Sequence, residues 1–130
     1  MADYTVVNVS DVPDQGPNLG IAPDVEIRFL RNDLGCEDCG VSYARIAPNG
    51  RIENGHRHKR QEEVYVLVAG SARIKVGDDI VDLEPWTAVR VPPETTRAVA
   101  AGPEGAEFVF VGAPNTGPGD AIDEPDFWKD

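Results

Sequence analysis

At 130 residues and 41% apolar content, the chain suits one domain that can bury its own core without disulfides or a structural metal. Acidic residues outnumber basic ones 23 to 12, a net charge of −11, which argues against a nucleic-acid backbone or an anionic membrane as partner. Thirteen glycines and eleven prolines interrupt the chain too often for long helices, so the expected class is all-β.

The first residues, MADYTVVNVSDV, show no basic region followed by an apolar run, and no later stretch reaches bilayer length, so a cytoplasmic protein is expected. Tyr4 to Val9 reads as a first strand, Asp11 to Gly20 is rich in breakers, and Val25 to Leu30 alternates again. Residues 1–40 are thus an N-terminal arm with edge strands of the same domain. Cys36 and Cys39 form a CEDC in the loop-like stretch before Gly40. A redox pair wants a βαβ setting and a zinc site wants a second ligand pair, so the two cysteines read as turn residues.

Strand rhythm dominates residues 41–112. Val41 to Ile46 alternates, and Pro48, Asn49 and Gly50 make a turn. His56 and His58 follow, two apart, so an extended chain points both imidazoles to one face and Arg57 to the other. Glu63 opens the run EVYVLVA, sharing a face with Tyr65 and Leu67. Two neutral imidazoles and a carboxylate on adjacent strands can hold a divalent ion such as iron, manganese or zinc and leave coordination positions open. Ala72, Ile74 and Val76 oppose Arg73 and Lys75, Gly77 to Asp79 make a hairpin turn, Ile80 to Leu83 runs back, and Val89 and Val91 oppose Arg90. In Glu107 to Val111, Phe108 and Phe110 share one face and Val109 and Val111 the other, so both sides of this strand are expected to be buried. An antiparallel sheet closed or folded on itself accounts for that. Residues 113–130 are an acidic C-terminal tail, poor in strand formers, in which Phe127 and Trp128 are expected to dock on apolar surface.

The stretch from Gly50 to Gly70 resembles the first motif of the cupins, G-x5-H-x-H-x3,4-E-x6-G, and every position matches through Gly50, His56, His58, Glu63 and Gly70. The family's second motif, G-x5-P-x-G-x2-H-x3-N, aligns around Pro92 but is degenerate: Trp86 and Glu94 stand at its glycines, Arg97 at its histidine and Ala101 at its asparagine. The resemblance implies a double-stranded β-helix, the cupin jelly-roll barrel, with a polar site inside, and a homodimer. It also implies His56, His58 and Glu63 as metal ligands, with Arg97 where the fourth ligand would be.

An arginine cannot ligate, and a guanidinium about 4 Å from a divalent ion is repelled by roughly 8 kcal/mol at an effective dielectric of about 20. Two outcomes follow. Either the three ligands hold a metal and Arg97 turns aside to bind an anionic ligand group, or Arg97 pairs with Glu63 and the pocket is metal-free. Tyr65 shares the inward face and can offer its hydroxyl to a ligand. The functional expectation is a small polar or anionic molecule bound in the barrel. A metal-dependent oxygenase or isomerase is one form of it, a non-catalytic ligand-binding or sensory protein the other.

Overall fold

The alternating stretches become strands. The computed structural model describes residues 2–52 and 54–129, which hold β1 (Val25–Phe29), α1 (Arg31–Leu34), β2 (Gly40–Ile46), β3 (Gly55–His58), β4 (Glu62–Val76), β5 (Asp79–Leu83), β6 (Ala88–Val91), β7 (Arg97–Ala113) and β8 (Ala121–Glu124). All pairings among the described residues are antiparallel. The all-β antiparallel class read from the sequence is the observed one.

Two long strands organise the sheet. β4 and β7 pair from Glu62 with Ala113 to Val76 with Arg97, with irregularities between Leu67 and Ala69 and between Gly70 and Ala72. There Gly70 takes a φ of 85°, and a Cβ on it would run into the Gly105 carbonyl oxygen. Only glycine permits that approach. Beyond the bend the partners change. The first half of β4 and the second half of β7 are flanked by β6 on one side and by β2 and β1 on the other. The second half of β4 and the first half of β7 are flanked by β5 and by β3 and β8. The sheet thus curls over a single core: Val25, Ile46, Leu67 and Phe108 from one part meet Ile74, Leu83 and Val99 from the other. Leu67, Ile74 and Phe108 are fully buried, each worth roughly 1.5–3 kcal/mol relative to exposure.

Parity decides which side chains enter. Ala44 and Ile46 point into the core, so Arg45 points outward and pairs with Glu26 at 3.1 Å, while Tyr43 donates its hydroxyl to Glu107 at 2.5 Å. Val91 is buried and Arg90 exposed, as the alternation requires.

Four expectations need correction. Tyr4 to Val9 is not a strand, and Tyr4 and Val6 lie open to solvent: alternation supplies β propensity, but nothing among the described residues pairs with that segment. The EVYVLVA run and the segment ending at Val76 are one strand, because Gly70 bends the ladder without ending it. The second face of the Glu107–Val111 run is not buried, since Val111 is 37% exposed on the outside of the curled sheet. The segment after Ala113 is not only a tail. Four of its residues form β8 along β3, and Trp128 is 1% exposed against Ala98 and Ala100.

Candidate metal centre

β3 presents its two imidazoles by simple alternation, and its backbone is tied down by His58 N–H donating to the Pro93 carbonyl at 2.7 Å. Glu63 reaches them because the bend at Gly70 folds the start of β4 back over the start of β7, where Arg97 pairs with His56. The Glu63 Oε1 atom becomes a hub. His56 Nε2 lies 3.4 Å from it, His58 Nε2 3.3 Å, Tyr65 donates to it at 3.1 Å, and Arg97 Nε stands 3.8 Å away. Ligand atoms of His56, His58 and Glu63 all fall within 4.8 Å of one another.

Behind His58 stands a residue that sequence reasoning missed. Asp120 accepts from His58 Nδ1 at 3.0 Å and from the backbone N–H groups of Arg60 at 3.0 Å and Gln61 at 3.3 Å. An ionised carboxylate only accepts, so the nitrogen facing it carries the proton and Nε2 of a neutral ring keeps its lone pair. That Nε2 is buried and makes no hydrogen bond, its approach to Glu63 being off the bonding direction. A carboxylate behind a histidine whose far nitrogen faces a carboxylate and a second imidazole is the arrangement that holds a metal-ligating histidine. Two imidazoles and a carboxylate therefore fit a divalent ion such as iron, manganese or zinc. No sequence signal near the histidines pointed to Asp120, which lies in a stretch poor in strand formers.

The electrostatics follow from the same contacts. Burial alone would raise Glu63, but the His56 contact at 3.4 Å and the nearby His58 ring hold its carboxyl far below the usual range. The Glu63 carboxylate raises His58, against the opposing effect of burial. Asp120 is raised by burial and lowered by its three donors, with the lowering prevailing. Burial and then the Glu63 charge push the Tyr65 phenol well up, so it stays a donor.

Arg97 is fully buried, and it neither swings into solvent nor stacks on Glu63. Its Nη1 and Nη2 donate to the carbonyls of His56 at 3.3 Å and Pro92 at 3.1 Å, leaving Nε–H without a hydrogen-bond acceptor beside the hub. Tyr65 packs edge-to-face on Phe110 with its hydroxyl turned to the site. The five residues singled out in the sequence thus come together, and they line a cavity of about 720 Å³ whose other walls include Ile27, Phe29, Val41 and Ile52. Cys36 and Cys39 are free thiols outside it, and burial raises Cys36, the opposite of an activated thiol.

No family model matches the sequence, and no curated protein is similar enough to count as a relative. Solved structures are more informative. A cupin protein from Bacteroides fragilis superposes with a TM-score of 0.71 at 18% identity, over 88% of this chain and 86% of that one. The chain has the cupin fold. Oxalate decarboxylase from Bacillus subtilis gives a TM-score of 0.77 at 20% identity over 94% of this chain, which spans only 33% of that one. KdgF from a Halomonas species gives 0.69 at 13% identity, covering 89% of this chain and 96% of that protein. Identities this low carry the fold and not the activity.

Proposed function

We propose that this cupin is a divalent-metal-dependent protein that binds a small anionic molecule in its cavity, of the oxygenase or isomerase type. The observation that carries this is His58, held at Nδ1 by Asp120 and left with an unused, buried Nε2 beside His56 and Glu63. A bound ion supplies Lewis acidity there, and redox chemistry if it is iron or manganese. The chain's own groups then orient the ligand: Tyr65 donates from one side, Arg97 supplies a fixed positive charge, and apolar walls exclude water. Charge balance supports an anion. Among the cavity-lining residues Arg31 and Arg97 offset Glu63 and Asp123, Asp120 adds one negative charge behind His58, and a divalent ion brings the sum to about +1.

Elemental analysis of protein purified without a histidine tag tests the metal, with stoichiometric iron, manganese or zinc expected and its loss in Glu63→Gln. Thermal shift with small mono- and dicarboxylates, with and without added metal, tests the ligand. Oxalate is a sensible first probe, since one similar structure is that of a protein named for it. A second reading has its own observation: Arg97 stands 3.8 Å from Glu63, fully buried, and neutralises it without a metal. Carboxylate-induced stabilisation of metal-free protein, unchanged by zinc, would select that reading. Self-association into a homodimer belongs to the proposal as well, supported by large apolar side chains left open to solvent, Ile80 and Trp86 among them. Light scattering at micromolar concentration decides it.

A further inference from the structure

The strand that bears both histidines is poorly held by the rest of the sheet. β3 makes one register pair with β7, His56 with Arg97, but four with β8, from Gly55 with Glu124 to His58 with Ala121. Its neighbour comes from the C-terminal segment, so whatever anchors that segment also anchors the ligands.

The anchor is visible at the chain's end. Trp128 sits on Ala98 and Ala100, small residues that leave room for an indole on the outer side of β7, with the guanidinium groups of Arg73 and Arg51 at 5.2 and 5.8 Å from its ring. Lys75 Nζ donates to the Phe127 carbonyl at 2.7 Å and lies 4.4 Å from the Phe127 ring. Phe127 also covers Gly55, where a Cβ would stand 2.6 Å from the ring. At the other end of β8, the Asp120 carbonyl accepts from Lys59 N–H at 2.9 Å while its carboxylate takes Arg60 N–H, Gln61 N–H and His58 Nδ1. The C-terminal segment is therefore a strap fixed at both ends across β3, and its first contact is the proton that sets the His58 tautomer.

We propose that Asp120 is a positioning residue which fixes the orientation and tautomer of His58, and that docking of Trp128 latches the strap that delivers it. The proposal rests on the reading of His56, His58 and Glu63 as metal ligands, and it adds a dependence of that centre on a side chain eight positions further along the chain. Asparagine at position 120 keeps an acceptor for the backbone but offers an N–H to the imidazole, which favours the tautomer with the proton on Nε2 and takes the lone pair out of the centre.

The test uses the full chain and four variants, Asp120→Asn, Trp128→Ala, Trp128→Phe and the Asp120→Asn/Trp128→Ala double. Zinc affinity is measured by competition with a chromophoric chelator. The His58 tautomer is read by nitrogen-15 NMR on metal-free protein at pH 9, and the melting temperature is followed alongside. Wild type should show His58 protonated at Nδ1, the less common form of a free imidazole. Asp120→Asn should convert it to Nε2–H and weaken zinc binding about 10–100-fold. Trp128→Ala should act in the same direction, Trp128→Phe should restore most of the affinity, and the double variant should bind no more weakly than Asp120→Asn alone. Zinc affinity within twofold of wild type in Asp120→Asn, with the tautomer unchanged, overturns the proposal. Effects in Asp120→Asn but none in Trp128→Ala overturn the latch. Failure of wild type to bind zinc would sink the metal reading, while the tautomer still decides what Asp120 does.

Discussion

Arg97 is the departure from the second cupin motif that lies at the site itself, and its surroundings give that departure a structural cost. The guanidinium spans two backbone carbonyls on different segments, those of His56 and Pro92, so it knits the start of β7 to β3 as well as placing charge near Glu63. An imidazole cannot reach both. Arg97→His is therefore expected to do two things at once: raise zinc affinity at least about tenfold by removing a fixed positive charge, and lower stability by about 2–4 kcal/mol by removing two charge-assisted hydrogen bonds to part-buried carbonyls. Calorimetric titration with zinc and urea unfolding of the same samples measure both, and weaker zinc binding would show that Arg97 supports the ligands more than it repels the ion. If the anion reading is right, carboxylate affinity falls in that variant, since a guanidinium contact has no imidazole equivalent.

At the scale of single elements, the bend in β4 links fold to site. Gly70 closes the first cupin motif in the sequence, and in three dimensions it is where β4 passes the Gly105 carbonyl with a positive φ. Gly70→Ala must pay for a left-handed conformation and displace backbone, which should cost about 3 kcal/mol or more and reduce metal affinity together with stability. A urea midpoint within error of wild type would mean that β7 can yield there. The N-terminal arm is held differently. Asp14 Oδ1 accepts from Gly16 N–H at 2.8 Å and Ile27 N–H at 3.0 Å, tying the arm to β1, and these backbone hydrogen bonds lower the Asp14 carboxyl from its ordinary 3.8. A depressed carboxylate contributes stability that is present above its unfolded value and lost as pH falls through the folded one. Asp14→Asn should thus be less stable than wild type at pH 7, and the gap should narrow as the pH falls below the ordinary carboxylate value of 3.8. Thermal melts from pH 2.5 to 7 check this; a constant gap across the range would show that the charge of Asp14 contributes nothing.

For the molecule as a whole, the contacts of the C-terminal segment predict that it unfolds together with the sheet. With Trp86 74% exposed and Trp128 nearly fully buried, a Trp86→Phe variant reports on the strap alone. Its emission should be blue-shifted in the native protein and move red in the same transition that abolishes the far-ultraviolet signal. An earlier fluorescence transition would mean that the strap releases before the sheet melts. This docking was foreseeable in kind, because Phe127 and Trp128 are too apolar for a solvated tail, but not in place. Local pattern did determine β1, β2, β5, β6 and the Glu107–Val111 part of β7, the common face of His56 and His58, and the inward face of Glu63, Tyr65 and Leu67, since period-two alternation fixes which side a residue occupies. Pattern could not determine that Tyr4 to Val9 lacks a partner, that β4 continues through Gly70, or that Arg97 spends two of its nitrogens on carbonyls, because each depends on a segment far away in the chain. Asp120 shows the limit most clearly. Its chemistry was plain in the sequence, a carboxylate among several, and only the pairing of β8 with β3 selected it, by placing one oxygen 3.0 Å from an imidazole 62 residues earlier.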